Sequence, residues 1–301
     1  MSTEASPSRP LLIWVNGALV PRERAVVSVF DSGFVLGDGV WEGLRLVRGG
    51  FPFLAEHLDR LFEGAKALFF DVGLSREELT RALHDTASAN GLTDGAHFRL
   101  MVTRGERSRP YQSPKLALGK ATVVIVPERS TADEAKARGL KLFTVHVRRG
   151  YPDVQDPKLN SHSKINCVTA CIQAQQAGAD EGLMLDPHGF VATCNSTHFF
   201  IVRKGELWTS TGRYCIPGIT RAAVLRVCRE AGIPTFEKDF SLTEVYGADE
   251  AFTTGTYAGV VPVREVDGRV LGTGVPGPMV SRIQELYQAL ITRELERGAS
   301  A

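Results

Sequence analysis

A chain of 301 residues exceeds the usual size of a single core, so its length favours two domains or one large α/β unit. With 43% hydrophobic and 23% charged residues, the composition is that of an ordinary soluble globular enzyme rather than a disordered, fibrous or membrane chain. The formal net charge of +1, with Lys and Arg scattered singly among acids, argues against nucleic acid and anionic membranes as partners.

The polar opening MSTEASPSRP lacks the apolar stretch of a signal peptide, and no window is apolar over the roughly 18 residues of a membrane span. The cytoplasm is the expected location. LLIWVNGALV (11–20) then reads as a tight hairpin turning at Asn16-Gly17. VVSVF (26–30) and VWEGLRLVRGGFPFL (40–54) suggest further strands, the second pair turning at Gly49-Gly50. From Glu56 to Phe70, Leu58, Leu61, Phe62, Ala65, Leu68 and Phe69 recur at helical spacing. Ser75 followed by Glu78 forms a capping box for a second helix to about Asn90, which Gly91 ends. Strands at 97–105 and 121–128 complete a small N-terminal α/β domain over 11–128, and the charged, small-residue stretch at 129–138 reads as the interdomain linker.

A large C-terminal domain over 139–301 begins with a strand at 140–148 and the loop YPDVQDPKLNSHS. A helix from about Lys164 to Ala177 follows, then a strand at 181–186. The turn Asp186-Pro187-His188-Gly189 leads through GFVATCNSTHFF to a strand ending at Val202. In that stretch, Thr193 to Thr197 interrupt an otherwise apolar hairpin. Pro217-Gly218 precedes a helix at 219–231, strands come near 234–239, 249–255 and 260–266, and a last helix runs over about 279–297.

Several chemistries lack a signature. In GDGVWEG the third glycine comes one residue too late for the dinucleotide fingerprint, and Walker A, HExxH and GxSxG motifs are absent. Cys167, Cys171, Cys194, Cys215 and Cys228 are odd in number without a CxxC pair, which argues for reduced thiols and against a disulfide framework or a structural zinc; no metal is expected. Two features carry chemistry. Gly218, Ile219 and Thr220 stand at a helix start, where unpaired N–H groups and the positive dipole end favour an anion such as phosphate, though many such starts bind only water. Lys164 stands at a loop–helix junction, and Ile165, Val168, Ala170, Cys171 and Ile172 imply burial around it. A desolvated lysine is an imine-forming nucleophile; the alternative is a solvated helix-start lysine.

The two features meet in pyridoxal-phosphate enzymes, and seven ordered motifs extend the likeness over about 12–290. They are DSGFVLGDGVWEGLR (31–45), EHLDRL (56–61), FRLMVTRG (98–105), SKIN (163–166), ADEGLMLDPHGFV (179–191), IPGITR (216–221) and ADEAFTTGT (248–256). With these the sequence resembles the class IV aminotransferases, the fold-type IV pyridoxal-phosphate enzymes, which include branched-chain, D-amino-acid and (R)-amine aminotransferases and aminodeoxychorismate lyase. The resemblance implies an α/β (α+β) two-domain fold, pyridoxal 5′-phosphate in the interdomain cleft, and a homodimer. It implies that Lys164 holds the cofactor as a Schiff base and shuttles the proton. Arg60 would pair with the phosphate, joined by Gly218, Ile219 and Thr220 at the helix start and by Thr256, with Ile216 under the ring. Trp41, His97, Arg99 and Tyr257 would face the substrate, with an internal ion pair as the other role for Arg99. His162, Asn166 and His198 are read as structural.

The chain departs from the family pattern at Thr193, where a glutamate normally pairs with the pyridine nitrogen and keeps it protonated. Cys167 stands where branched-chain members carry a tyrosine. The expected activity is ping-pong amino transfer between an amino acid or amine and a keto acid. A lyase or racemase is the alternative that Thr193 raises, and a cofactor-sequestering protein is a third.

Overall fold

Asn16 and Gly17, with φ of 48° and 96°, adopt the positive angles that a two-residue hairpin turn requires, and join β1 (Leu12–Val15) to β2 (Ala18–Pro21). The computed structural model describes residues 10–129, 137–274 and 276–299. The chain divides into two compact units, Met1–Ser130 with Asn160–Ser163, and Thr131–Leu159 with Lys164–Ala301. Residues 1–9 of the expected disordered tail at 1–10, and most of the expected linker at 129–138, lie outside the described residues.

In the first unit β3 (Gly39–Leu46), β4 (Ala96–Thr103) and β5 (Thr122–Arg129) complete an antiparallel sheet ordered β2-β1-β5-β4-β3. The short α1 (Ser32–Leu36) precedes β3. α2 (Leu54–Ala67) and α3 (Arg76–Ala89) bury Leu58, Leu61, Leu79 and Leu83, and alternate positions Leu44, Leu46, Phe98 and Leu100 of the sheet are buried too. The capping box forms as its spacing requires: Ser75 Oγ accepts from Glu78 N at 3.2 Å, and Glu78 Oε2 accepts from Ser75 N at 2.7 Å. Two strand expectations are corrected. VVSVF forms no strand, and Val26 and Val29 are 74% and 67% exposed; β-branched side chains make a strand only where a ladder partner lies alongside. GFPFL ends a tight Val47–Gly50 bridge and runs directly into α2.

The second unit contains β6 (Leu140–Thr144), α4 (Pro152–Gln155), α5 (Ile165–Gln176), β7 (Glu181–Leu185), β8 (Val191–Cys194), β9 (His198–Arg203) and β10 (Glu206–Thr209). It continues with α6 (Ile219–Glu230), β11 (Thr235–Glu237), α7 (Leu242–Tyr246), β12 (Glu250–Gly255), β13 (Gly259–Val266), β14 (Arg269–Val270) and α8 (Pro278–Ala299). Its mixed sheet is ordered β11-β10-β9-β12-β13-β6-β7-β8, with β14 on β13. Leu183, Cys194, Phe199, Ile201, Trp208 and Phe240 share one buried cluster, while Met184 packs with Ala170 of α5 and Val145. β6 stops at Thr144, four residues before its expected end, where Asp267 accepts from both the amide and the hydroxyl of Thr144. Glu250 caps α8 by accepting from Met279 N and Val280 N. Among the described residues no helix is long and apolar enough to cross a membrane.

Candidate active site

Lys164 is the N-cap of α5, with φ −112° and ψ 15° and no side-chain cap. The helix buries Ala170 and Ala174, whereas Ile165, Val168 and Ile172 are 74%, 48% and 47% exposed, so the expected burial by those three is corrected. Small residues face inward because α5 lies close to β7: a Cβ on Gly182 would stand 3.0 Å from the Ala170 carbonyl oxygen. The larger apolar side chains are turned outward as a result.

The start of α6 is built to receive an anion. Gly218 is its N-cap and supplies no side-chain acceptor, so none covers the first-turn amides of Ile219 and Thr220. A Cβ on Gly218 would lie 2.2 Å from Nε2 of His198, so the imidazole occupies the space a larger residue would need. His198 pairs across the sheet with Thr254, whose hydroxyl is fully buried with no hydrogen-bond partner among the described residues; the same holds for Thr253. Uncapped amides and unpaired buried hydroxyls on the elements that meet here fit the phosphate that the resemblance assigns to this helix start. Ile216 is half-buried before the helix, and Thr256 and Tyr257 occupy the turn that Gly255 and Gly259 close between β12 and β13.

The polar run Thr193–Thr197 closes the β8–β9 turn around a buried acid that the sequence does not announce. Glu181 Oε1 accepts from the amides of Ser196 and Thr197 at 2.7 and 2.9 Å, and Oε2 accepts from Thr197 Oγ1 at 2.9 Å. Burial raises the Glu181 carboxyl above its ordinary value, with these donors pulling the other way. Thr193 is 4% exposed and pairs with Met184 of β7, which places it on the sheet face that α5 covers. Its hydroxyl donates to the Thr197 carbonyl at 2.8 Å.

In the first unit Arg60 is held by an acid that sequence reasoning missed. Glu42, fully buried on β3, accepts from Arg60 Nε at 2.8 Å and Nη2 at 2.6 Å, and lies 2.7 Å from His57 Nδ1. Burial alone would raise the Glu42 carboxyl, but His57 and Arg60 outweigh it and hold the group below its ordinary value. Trp41 is the neighbour of Glu42 on the strand and points to the other face. There the Arg99 guanidinium stacks 4.1 Å over the Trp41 ring, and His97 Nδ1 lies 3.1 Å from Glu128 Oε1. Trp41, His97 and Arg99 therefore lie on one face of the sheet, with the Arg60 cluster on the opposite face. Arg99 is exposed and stacked, and forms no internal ion pair among the described residues. His162 Nε2 lies 3.1 Å from the Val40 carbonyl, and Asn166 Nδ2 donates to the Arg148 carbonyl, both in keeping with structural roles. All five cysteines are free thiols.

The family model described as Amino-transferase class IV matches residues 39–266. Branched-chain-amino-acid aminotransferase-like protein 2 of Arabidopsis thaliana is 40% identical over 295 residues, 96% of this chain and 53% of that protein, so the chain spans about half the length of this relative. A putative branched-chain-amino-acid aminotransferase of Methanocaldococcus jannaschii is 39% identical over 93% of this chain and 96% of its own length. The T.th. branched-chain amino acid aminotransferase, solved with N-(5′-phosphopyridoxyl)-L-glutamate, superposes with a TM-score of 0.87 at 31% identity, covering 95% of both chains. Extent and identity together place the chain in the class IV aminotransferase family.

Proposed function

We propose that the protein is a pyridoxal-phosphate-dependent aminotransferase that moves the amino group of a branched-chain-like amino acid to a keto acid. The observation that carries this reading is the presence in one unit of Lys164 at the head of α5 and of the uncapped α6 start beside the unpaired hydroxyl of Thr254. When bound, the cofactor supplies an aldehyde to take the amino group and a ring to accept electrons. Lys164 is the amine that holds that aldehyde and moves the proton. The amides of Ile219 and Thr220, with Thr254 and Thr256, hold the phosphate. Arg60, fixed by Glu42, is assigned to the same dianion, and Trp41, His97, Arg99 and Tyr257 to the substrate. The Thr193 hydroxyl already donates its hydrogen bond to the Thr197 carbonyl, so toward another group it offers lone pairs only. The relatives are named aminotransferases, which favours transfer over elimination or racemisation. A homodimer and a cytoplasmic location rest on the family resemblance.

The test is a half-reaction. Protein reconstituted with pyridoxal 5′-phosphate is mixed with L- and D-leucine, valine and alanine, and the cofactor spectrum is followed. Conversion by at least one donor, abolished in Lys164→Ala, is the expected result. Lack of conversion by every donor, or retained conversion in Lys164→Ala, would sink the reading.

A further inference from the structure

Arg149 is a half-buried cation that meets no acid among the described residues. Its amide donates to the Leu185 carbonyl at 2.9 Å, which anchors the backbone beside β7. Its guanidinium donates to two neutral acceptors: Nε to the Tyr214 carbonyl at 3.3 Å and Nη1 to Cys167 Sγ at 3.3 Å. Among the described residues no carboxylate pairs with it, and Nη2 makes no hydrogen bond. Guanidinium groups taken partly out of water ordinarily meet a carboxylate or a phosphate, because their rigid fork of donors matches an oxyanion.

Its position makes the missing counter-charge informative. Cys167 lies three residues beyond Lys164, one turn along the same side of α5. Tyr214 lies four residues before Gly218, on the loop that feeds α6. Arg149 thus joins the head of the lysine helix to the approach of the anion-receiving helix. The Tyr214 ring is fixed in turn by His188, whose Nε2 lies 3.2 Å from Tyr214 Oη and 3.4 Å from Tyr151 Oη. A second cation, the exposed Lys158, acts on the same spot: burial pushes the Cys215 thiol up, while Arg221, Arg149 and Lys158 oppose it. Of these three only Arg221 has an acid partner among the described residues, Glu237 at 2.9 Å.

We propose that Arg149 binds an oxyanion at this centre, separately from the α6 start, through a guanidinium that meets no counter-charge among the described residues. The oxyanion belongs either to the cofactor or to the carboxylate of the substrate. The inference rests on Lys164 marking the reactive centre.

Arg149→Gln and Arg149→Lys distinguish the sources in two titrations. Pyridoxal 5′-phosphate is added to the cofactor-free protein, and 4-methylpentanoate, a simple monocarboxylate, is added to the protein as purified, each read by calorimetry. Arg149→Gln is expected to weaken one of them by roughly tenfold or more, with Arg149→Lys intermediate. Weakened cofactor uptake assigns the oxyanion to the cofactor; a loss confined to 4-methylpentanoate assigns it to the substrate. Unchanged affinities overturn the proposal, and a lowered melting temperature alongside them marks Arg149 as a clamp between α5 and the 214–218 loop. If the unsubstituted protein takes up no cofactor, the proposed function fails instead, and the 4-methylpentanoate titration alone decides for or against Arg149.

Discussion

The hydroxyl of Thr193 donates to the carbonyl oxygen of Thr197 at 2.8 Å, and the amide of Cys194 donates to the same oxygen at 2.9 Å. Removing the hydroxyl therefore leaves the carbonyl paired. Thr193→Val is expected to cost about 1 kcal/mol, the net value of one ordinary hydrogen bond, seen as a melting temperature a few degrees lower. Thr193→Glu puts a carboxylate at a position 4% exposed, in the turn that already encloses Glu181. The cofactor-free protein is expected to be destabilised more by Glu than by Val, because a second acid is desolvated there. Equal melting temperatures for the two variants would show that residue 193 can turn its side chain to solvent.

Glu42 holds both Arg60 and His57, so its removal strands both. Glu42→Gln is expected to cost about 3–5 kcal/mol, the range for breaking one side of a buried pair. Because the folded carboxyl lies below its ordinary 4.5, Glu42 contributes stability above pH 4.5 that is lost as the pH falls through the folded value. Melting temperatures between pH 3 and 6 should show this acid limb in the parent and a flattened limb in Glu42→Gln. A parallel pair of curves would remove Glu42 as its source.

The contrast between Ser75 and Glu42 shows what was legible in the sequence. The Ser75–Glu78 cap and the Asn16-Gly17 turn are satisfied within four residues of chain, so their chemistry can be read directly. Glu42 meets His57 and Arg60 only because α2 packs on β3, across 15 and 18 residues. The motif EHLDRL marks Arg60 without showing what holds it. α5 makes the same point about faces: its apolar content was plain, but the choice of Ala170 rather than Ile172 for the interior depends on the close approach of β7 at Gly182. The polar run at 193–197 was visible as an anomaly, and its partner Glu181 stands 15 residues before Ser196 on another strand.

His97 acts on the same acid side of the pH profile, nearer neutrality. Burial lowers it below its ordinary 6.5, while Glu128 pulls it back up. The folded state thus prefers the neutral ring, and stability present above pH 6.5 is lost as the pH falls toward the lower folded value. His97→Gln is expected to shrink this loss between pH 5 and 7, and Glu128→Gln to enlarge it. Thermal melts across that window decide; an unaltered slope in Glu128→Gln would sever the assigned link between the two residues.

Gly218 is the position at which the α6 start can be perturbed without touching an assigned polar group. A Cβ there would meet Nε2 and Cδ2 of His198 at 2.2 and 2.4 Å, distances that real contacts do not reach. His198 is 5% exposed on β9, so its ring cannot simply swing into solvent, and the first turn of α6 must give way as well. Overpacking of this kind costs about 1–3 kcal/mol. Gly218→Ala is expected to lower the melting temperature and to weaken the binding of inorganic phosphate to the cofactor-free protein, since the amides that face the anion are displaced with the turn. His198→Ala opens the needed space, so the double variant should recover phosphate affinity relative to Gly218→Ala alone, with a coupling between the two substitutions that distant sites do not show. Additive effects in that cycle would mean that the imidazole does not hold the α6 start in place.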